Sequence, residues 1–104
     1  FMANVFKNYT TDGGGTSLST VYTVGSNKTA VIIGMNIANV TASQIAVDVT
    51  LGSIFLVKGV PIPANTAFSV LDGKIIAEAA DTIKVQSDTA ASVDVVLSVL
   101  EQDV

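Results

Sequence analysis

The segment Gln44–Leu51, QIAVDVTL, alternates strictly: Ile45, Val47, Val49 and Leu51 fall on one side, Ala46, Asp48 and Thr50 on the other. A period of two is the signature of a strand with one buried and one wet face. Comparable strand-like runs occur at Val5–Tyr9, Leu18–Val24, Thr29–Ala38, Ile54–Val60, Ala67–Leu71, Lys74–Ile76, Thr82–Ser87 and Val93–Glu101. Turn signals separate them: DGGG at 12–15, GSNK at 25–28, NVTAS at 39–43, GS at 52–53, PIPAN at 61–65, DG at 72–73 and SDTAAS at 87–92. Such signals every 8–12 residues or so mark a sandwich or barrel. No stretch sustains the 3.6-residue apolar period of a helix. The pattern predicts an all-β fold, a two-sheet antiparallel β-sandwich of jelly-roll or Ig-like type with about eight to nine short strands. Residues 1–15 read as an N-terminal strand and a Gly-rich arm, and 16–104 as one sandwich domain.

IIAEAADTIKVQS, residues 75–87, tests that reading. AEAAD is rich in helix formers, but TIKVQ alternates directly after it. One isolated turn falls far below the roughly 12–15 residues at which a helix holds in water. The segment is therefore expected to be a corner between two strands, with Asp81 capping it through backbone N–H groups and Glu78 in solvent.

Two strands carry apolar residues on both sides. Thr29–Ala38 has Val31, Ile32, Ile33, Met35 and Ile37, and Val93–Leu100 adds Val96 and Leu100 opposite Val93, Val95, Leu97 and Val99. A sandwich strand has a single inner face, so the second face needs another cover. A neighbouring subunit is the expected one, with Val31, Ile33, Met35, Val96 and Leu100 as the contact residues. A closed barrel packed by its own loops is the alternative. Residues 37–47 and 85–95 also echo each other as strand, small polar turn and strand, which predicts two similar hairpins.

Composition sharpens the picture. Only 13% of residues are charged, about half the usual share of roughly 25%, while 49% are hydrophobic. A surface so poor in charge is expected to be partly covered by another chain. The net charge is −4, and Lys7, Lys28, Lys58, Lys74 and Lys84 are scattered with no Arg among them. Nucleic-acid binding requires clustered positive charge and is not expected. No apolar run approaches the roughly 20 residues of a membrane helix, so no membrane partner is expected. Residues 2–20 lack the basic start and apolar run of a signal peptide; Phe1, ahead of Met2, reads as an expression remnant.

Candidate chemistry is sparse. With neither Cys nor His, disulfides and thiol or imidazole catalysis are excluded, as is an ordinary zinc site. Glu78 and Asp81 could form an acid pair of the sugar-hydrolase kind, but the turn cap is the expected role. Asp12-Gly13-Gly14-Gly15 lacks the Lys-Ser/Thr of a phosphate loop and reads as a flexible connector. Phe6, Tyr9, Gly13, Gly14 and Gly15 are its candidate residues as an arm reaching a neighbour. Asp88 and Asp94 flank one turn, short of the six or more oxygens that calcium takes. Three Asn-x-Thr sequons, at Asn8, Asn27 and Asn39, are read as turns. Tyr9, Tyr22 and Phe55 fall in strands and are expected in core or interface. No catalytic, cofactor-binding or metal residue is assigned, and the chain is not expected to be an enzyme.

FKNYTT at 6–11, TVYTV at 20–24, KTAVIIGMNIANVT at 28–41, LVKGVPIPAN at 56–65, AADTIKVQSD at 80–89 and SVDVVLSVLE at 92–101 together resemble a small virion structural protein of tailed bacteriophages, of the kind found in phages of marine bacteria and cyanobacteria. The resemblance implies a non-enzymatic β-sandwich present in many copies. It would act as a capsid decoration or cement protein, or as a neck or tail component. Its expected partners are itself, as a homo-oligomer and most simply a trimer, and other virion proteins such as the major capsid or tail protein. Its expected location is the virion, assembled in the host bacterial cytoplasm. The alternative is a receptor- or glycan-binding module at the tail tip. The chain has none of the heptads of a long fibre shaft.

Overall fold

A computed structural model describes residues 4–70 and 73–103, leaving aside the side chains of residues 4 and 12–14. The end of the strand expected at Ala67–Leu71 and the first half of the turn at 72–73 lie outside these residues. The described chain is all-β, with nine strands: β1 (Asn4–Gly14), β2 (Ser19–Thr23), β3 (Lys28–Asn39), β4 (Ile45–Leu51), β5 (Ile54–Ile62), β6 (Ala67–Ser69), β7 (Ile75–Ala77), β8 (Thr82–Ser87) and β9 (Val93–Asp103). They form two antiparallel sheets. The first runs β1-β9-β3-β6, with β7 beside β6 on the same edge of β3; the second runs β2-β8-β4-β5.

The inner faces of both sheets supply the core. Ala30, Ile32, Met35, Ile37, Val93, Val95, Leu97 and Val99 come from the five-stranded sheet. Tyr22, Ile45, Val47, Val49, Ile62, Ile83 and Val85 come from the four-stranded one. In β9 every odd position from Val93 to Glu101 is buried and Val96 is exposed, as alternation requires. β3 breaks that rule once. Ala30 and Ile32 point inward, then Met35, Ile37 and Asn39 do, because a β-bulge between Ile32 and Gly34 changes the parity. Here two residues on β3 face one on β9. Met35, expected at the subunit contact, is therefore a core residue, 3% exposed.

The AEAAD segment is the corner between β7 and β8. Asp81 Oδ2 accepts from the Glu78 N–H at 2.9 Å, and the Asp81 N–H donates to the Glu78 carbonyl at 3.0 Å. Glu78 is exposed. Ala80 adopts φ 71, a left-handed turn conformation that ends any helical propagation.

The internal echo corresponds to two sheet-to-sheet corners rather than two hairpins within a sheet. β3–β4 crosses from the first sheet to the second and β8–β9 crosses back, while β3 pairs β9 and β4 pairs β8. The corners bond to each other through Val40 N–H to Ser92 O, 2.9 Å, and Asp88 N–H to Ala46 O, 3.0 Å. Each has a small polar lock. Ser87 Oγ and Ser92 Oγ lie 2.6 Å apart at one, and the Asn39 amide holds the other.

The outer edge of the second sheet is irregular. β5 carries register shifts opposite Val47–Val49 and Val49–Thr50, and contains Pro61. At the first shift Gly59 takes φ 63, and its N–H donates to Asp48 Oδ1 at 2.6 Å. Beside it, Thr50 Oγ1 is buried and has no hydrogen-bond partner. An unpaired buried hydroxyl costs about 1–3 kcal/mol. Thr50→Val, which keeps the branched shape, is expected to raise the unfolding free energy by about 1 kcal/mol in urea titrations.

Candidate functional site

Register defines what the outer face of the five-stranded sheet presents. Phe6 pairs with Leu100, Leu100 with Val31, and Val31 with Ile76. These four residues sit at outward positions and make one apolar row across β1, β9, β3 and β7. At the usual strand spacing of about 4.8 Å it is some 14 Å long. Phe6 is 73% exposed and Ile76 55%, with Val31 and Leu100 half-buried between them. Val96 and the bulge residue Ile33, both exposed, add to the face on β9 and β3. Gly34, paired with Ser98, has open space where a Cβ would stand. Scattered exposed apolar residues are ordinary, whereas an aligned set of this kind marks a contact surface.

Four of the five expected contact residues, Val31, Ile33, Val96 and Leu100, thus share this face, and Met35 does not. Sequence reasoning missed Phe6 and Ile76 as members of it. Phe6 falls in the expected arm and Ile76 in a short strand whose side no alternation fixes; the cross-strand register is what places them.

The arm residues lie in or beside β1. Phe6 and Tyr9 are strand residues paired with β9, Gly14 pairs with Val93 after a register shift, and the Gly15 carbonyl accepts from Ser87 N–H at 2.9 Å. Gly13 falls within the same strand. The N-terminal segment is an edge strand of the sandwich, continuous with its sheet.

Beneath the edge, the sandwich holds a polar cluster. Glu101, on β9, is 6% exposed. Its Oε2 accepts hydrogen bonds of 2.7 Å from both the Tyr9 and Tyr22 hydroxyls, and its Oε1 lies 3.8 Å from Lys7 Nζ. The two phenol rings stack with centroids 4.4 Å apart. Tyr9 comes from the first sheet and Tyr22 from the second, so the carboxylate clasps the layers together. Burial would raise the Glu101 pKa, but the two hydroxyls, with Lys7 and Lys28, outweigh it and hold the carboxyl below its ordinary value. Burial first, then the bond to Glu101 and its charge, push Tyr9 up to about 12 and Tyr22 further still. At neutral pH the carboxylate stays ionised and both phenols stay protonated. They suit a clasp, not acid–base exchange.

The remaining candidates separate. Asp88 Oδ1 accepts from Ala46 N–H and Thr89 Oγ1, and Asp94 sits on β9 opposite Ala38. Among the described residues no group of three or more acidic side chains is placed to hold a metal. A cavity of about 190 Å³ lies beside Ala46, Asp48, Gln86, Ser87 and Asp88, and Asp48 and Asp88 within it are engaged by backbone N–H groups. Among the cations, Lys28 pairs with Asp103 at 2.7 Å and Lys58 lies 4.5 Å from the centroid of the Phe55 ring. Of the sequon residues, Asn39 and Asn27 are turn or corner residues as expected, while Asn8 lies in mid-β1 and accepts from Ser98 Oγ at 2.7 Å.

The molecule is, in class, a two-sheet antiparallel β-sandwich that carries a row of apolar side chains on the outer face of its five-stranded sheet. No protein family matches the chain, and no curated protein matches it.

Proposed function

We propose that the protein is a non-enzymatic structural subunit that assembles with copies of itself through the outer face of the five-stranded sheet. The observation that carries this reading is the aligned row Phe6, Leu100, Val31 and Ile76, flanked by Ile33 and Val96. At about 25 cal/mol per Å² of apolar surface removed from water, such a face stabilises a contact appreciably, and many identical weak contacts add up in a repeating assembly. The setting we propose is a bacteriophage virion, where the assembly docks on capsid proteins as decoration or cement, or on neck or tail proteins. That setting rests on the sequence resemblance.

The paired substitutions Ile33→Lys and Val96→Lys test the face. Both positions are exposed, so folding is expected to survive, while self-association is expected to weaken by about 100-fold or more in sedimentation equilibrium. Unchanged association would overturn the assignment of this face. Binding of the wild-type protein to a glycan array would favour the receptor-binding alternative instead.

A further inference from the structure

The four sheet edges of this sandwich are not alike. A free edge offers unpaired N–H and C=O groups, and proteins normally blunt it with bulges, Pro or short strands. β5 has two register shifts and Pro61. β2 is five residues long and is shifted between Thr20 and Tyr22. β6 and β7 are three residues each. β1 is different: its pairing with β9 runs unbroken from Asn4 to Thr11, which leaves the opposite side of the same stretch, among the described residues, as a long, regular, open edge. Between Val5 and Thr11 the strand contains no Pro and no Gly, and Lys7 is its one charge.

We propose that β1 pairs edge to edge with β1 of a second copy, antiparallel about a two-fold axis, so that the two five-stranded sheets join into one. This rests on the assembly reading above and names its partner and symmetry. A second copy is the fitting occupant because it brings an identical unguarded edge, and one isologous contact satisfies both. A two-fold axis normal to the sheet keeps outward residues beside outward residues, so either an even or an odd residue can sit on the axis only opposite itself. Centring on Lys7 would oppose like charges, which is destabilising. Centring on Asn8 sets Lys7 opposite Tyr9 of the partner subunit, in the negative field of the Glu101 carboxylate to which that phenol donates. It also sets Phe6, the most exposed of the large apolar side chains described, beside Thr10 of the partner subunit, so that its ring packs on a second strand and loses exposure at the junction.

Amide hydrogen exchange followed by NMR tests this on the full chain carrying Ile33→Lys and Val96→Lys, in which the outer-face contact is removed. Alternate amides from Val5 to Thr11 point away from β9. At high protein concentration they are expected to exchange about 100-fold more slowly than at high dilution, and light scattering is expected to read the mass of two chains. If those amides exchange at unprotected rates at every concentration, the edge pairing is overturned. A wild-type assembly of three chains would likewise overturn it, since a two-fold edge contact alone builds even numbers, while leaving the outer-face assembly standing.

Discussion

Glu101→Ala is expected to lower the unfolding free energy by about 3 kcal/mol, and the melting temperature by roughly 15 °C for a domain of this size. The substitution leaves two phenol hydroxyls, each now 2.7 Å from Glu101 Oε2, with no acceptor between the sheets. It also opens a cavity and frees Lys7. Glu101→Gln keeps one acceptor oxygen and is expected to cost only about 1 kcal/mol. The two variants also separate the charge from the shape. Because the folded pKa of Glu101 lies below its ordinary value of 4.5, the unfolded chain takes up the proton first as pH falls. The stabilisation is complete above about pH 4.5 and is lost below it, as the carboxyl titrates in the fold. Urea titrations across this range should show a shallower acid limb for Glu101→Gln than for the wild type; equal limbs would show that Glu101 carries none of the pH dependence. At the alkaline end the sign reverses. Tyr9 is raised from 10.0 to about 12, so its contribution is complete below pH 10 and fades as pH rises from there toward 12.

Asn39→Ala is expected to cost a similar amount, about 3 kcal/mol. The Asn39 amide donates to the carbonyls of Ser43 at 2.8 Å, Ile62 at 3.0 Å and Pro63 at 3.2 Å. Its Oδ1 accepts from the Thr41 N–H and hydroxyl at 2.9 and 2.7 Å. One buried side chain thereby ties the end of β3 to the β3–β4 corner and to the chain leaving β5, and truncation strands the buried Ile62 carbonyl and unties the corner at once. Asn39→Asp retains the acceptor but turns a carboxylate toward three carbonyl oxygens, and is expected to cost at least as much. Chemical denaturation of both variants checks the order; a cost below about 1 kcal/mol for Asn39→Ala would mean that water replaces the amide at this corner.

Where the chain alternates, sequence and structure agree. β9 buries the side that the period of two assigns, and β4 does so from Ile45 to Val49; Thr50, expected on the wet side, is buried after the register shift at Val49–Thr50 and Leu51 is half-buried. The β7–β8 corner forms at AEAAD because Asp81 closes the turn that too few residues were present to extend. The two-faced appearance of Thr29–Ala38 has a mixed cause. Val31 and Ile33 do face outward, but Met35 points into the core because the bulge at Ile33–Gly34 inserts one residue. A bulge changes hydrogen-bond partners without changing the hydrophobic pattern, so nothing local in VIIGMNI distinguishes a second apolar face from a change of parity. Gly34 is the one hint, since a glycine inside a strand commonly accompanies a bulge.

The Tyr9–Glu101–Tyr22 clasp was equally hidden. Its members are 92 and 79 residues apart in sequence and meet only once both sheets are stacked. Glu101 ends an apolar alternation at an inward position, and that is the signal that could have drawn notice, because an isolated buried carboxylate requires donors. The arm reading erred in geometry for a related reason. A Gly-rich connector is legible at DGGG, but whether the strand before it pairs within its own sheet depends on β9, nearly ninety residues away.

The central claim is that the outer face of the five-stranded sheet is covered by another copy of the chain. Light scattering of the wild-type protein at tens of micromolar measures this most directly. We predict a mass above that of two chains that falls on dilution and falls to two chains or fewer in the Ile33→Lys, Val96→Lys variant; a mass that the variant leaves unchanged, or a constant 10.7 kDa at every concentration, would contradict it.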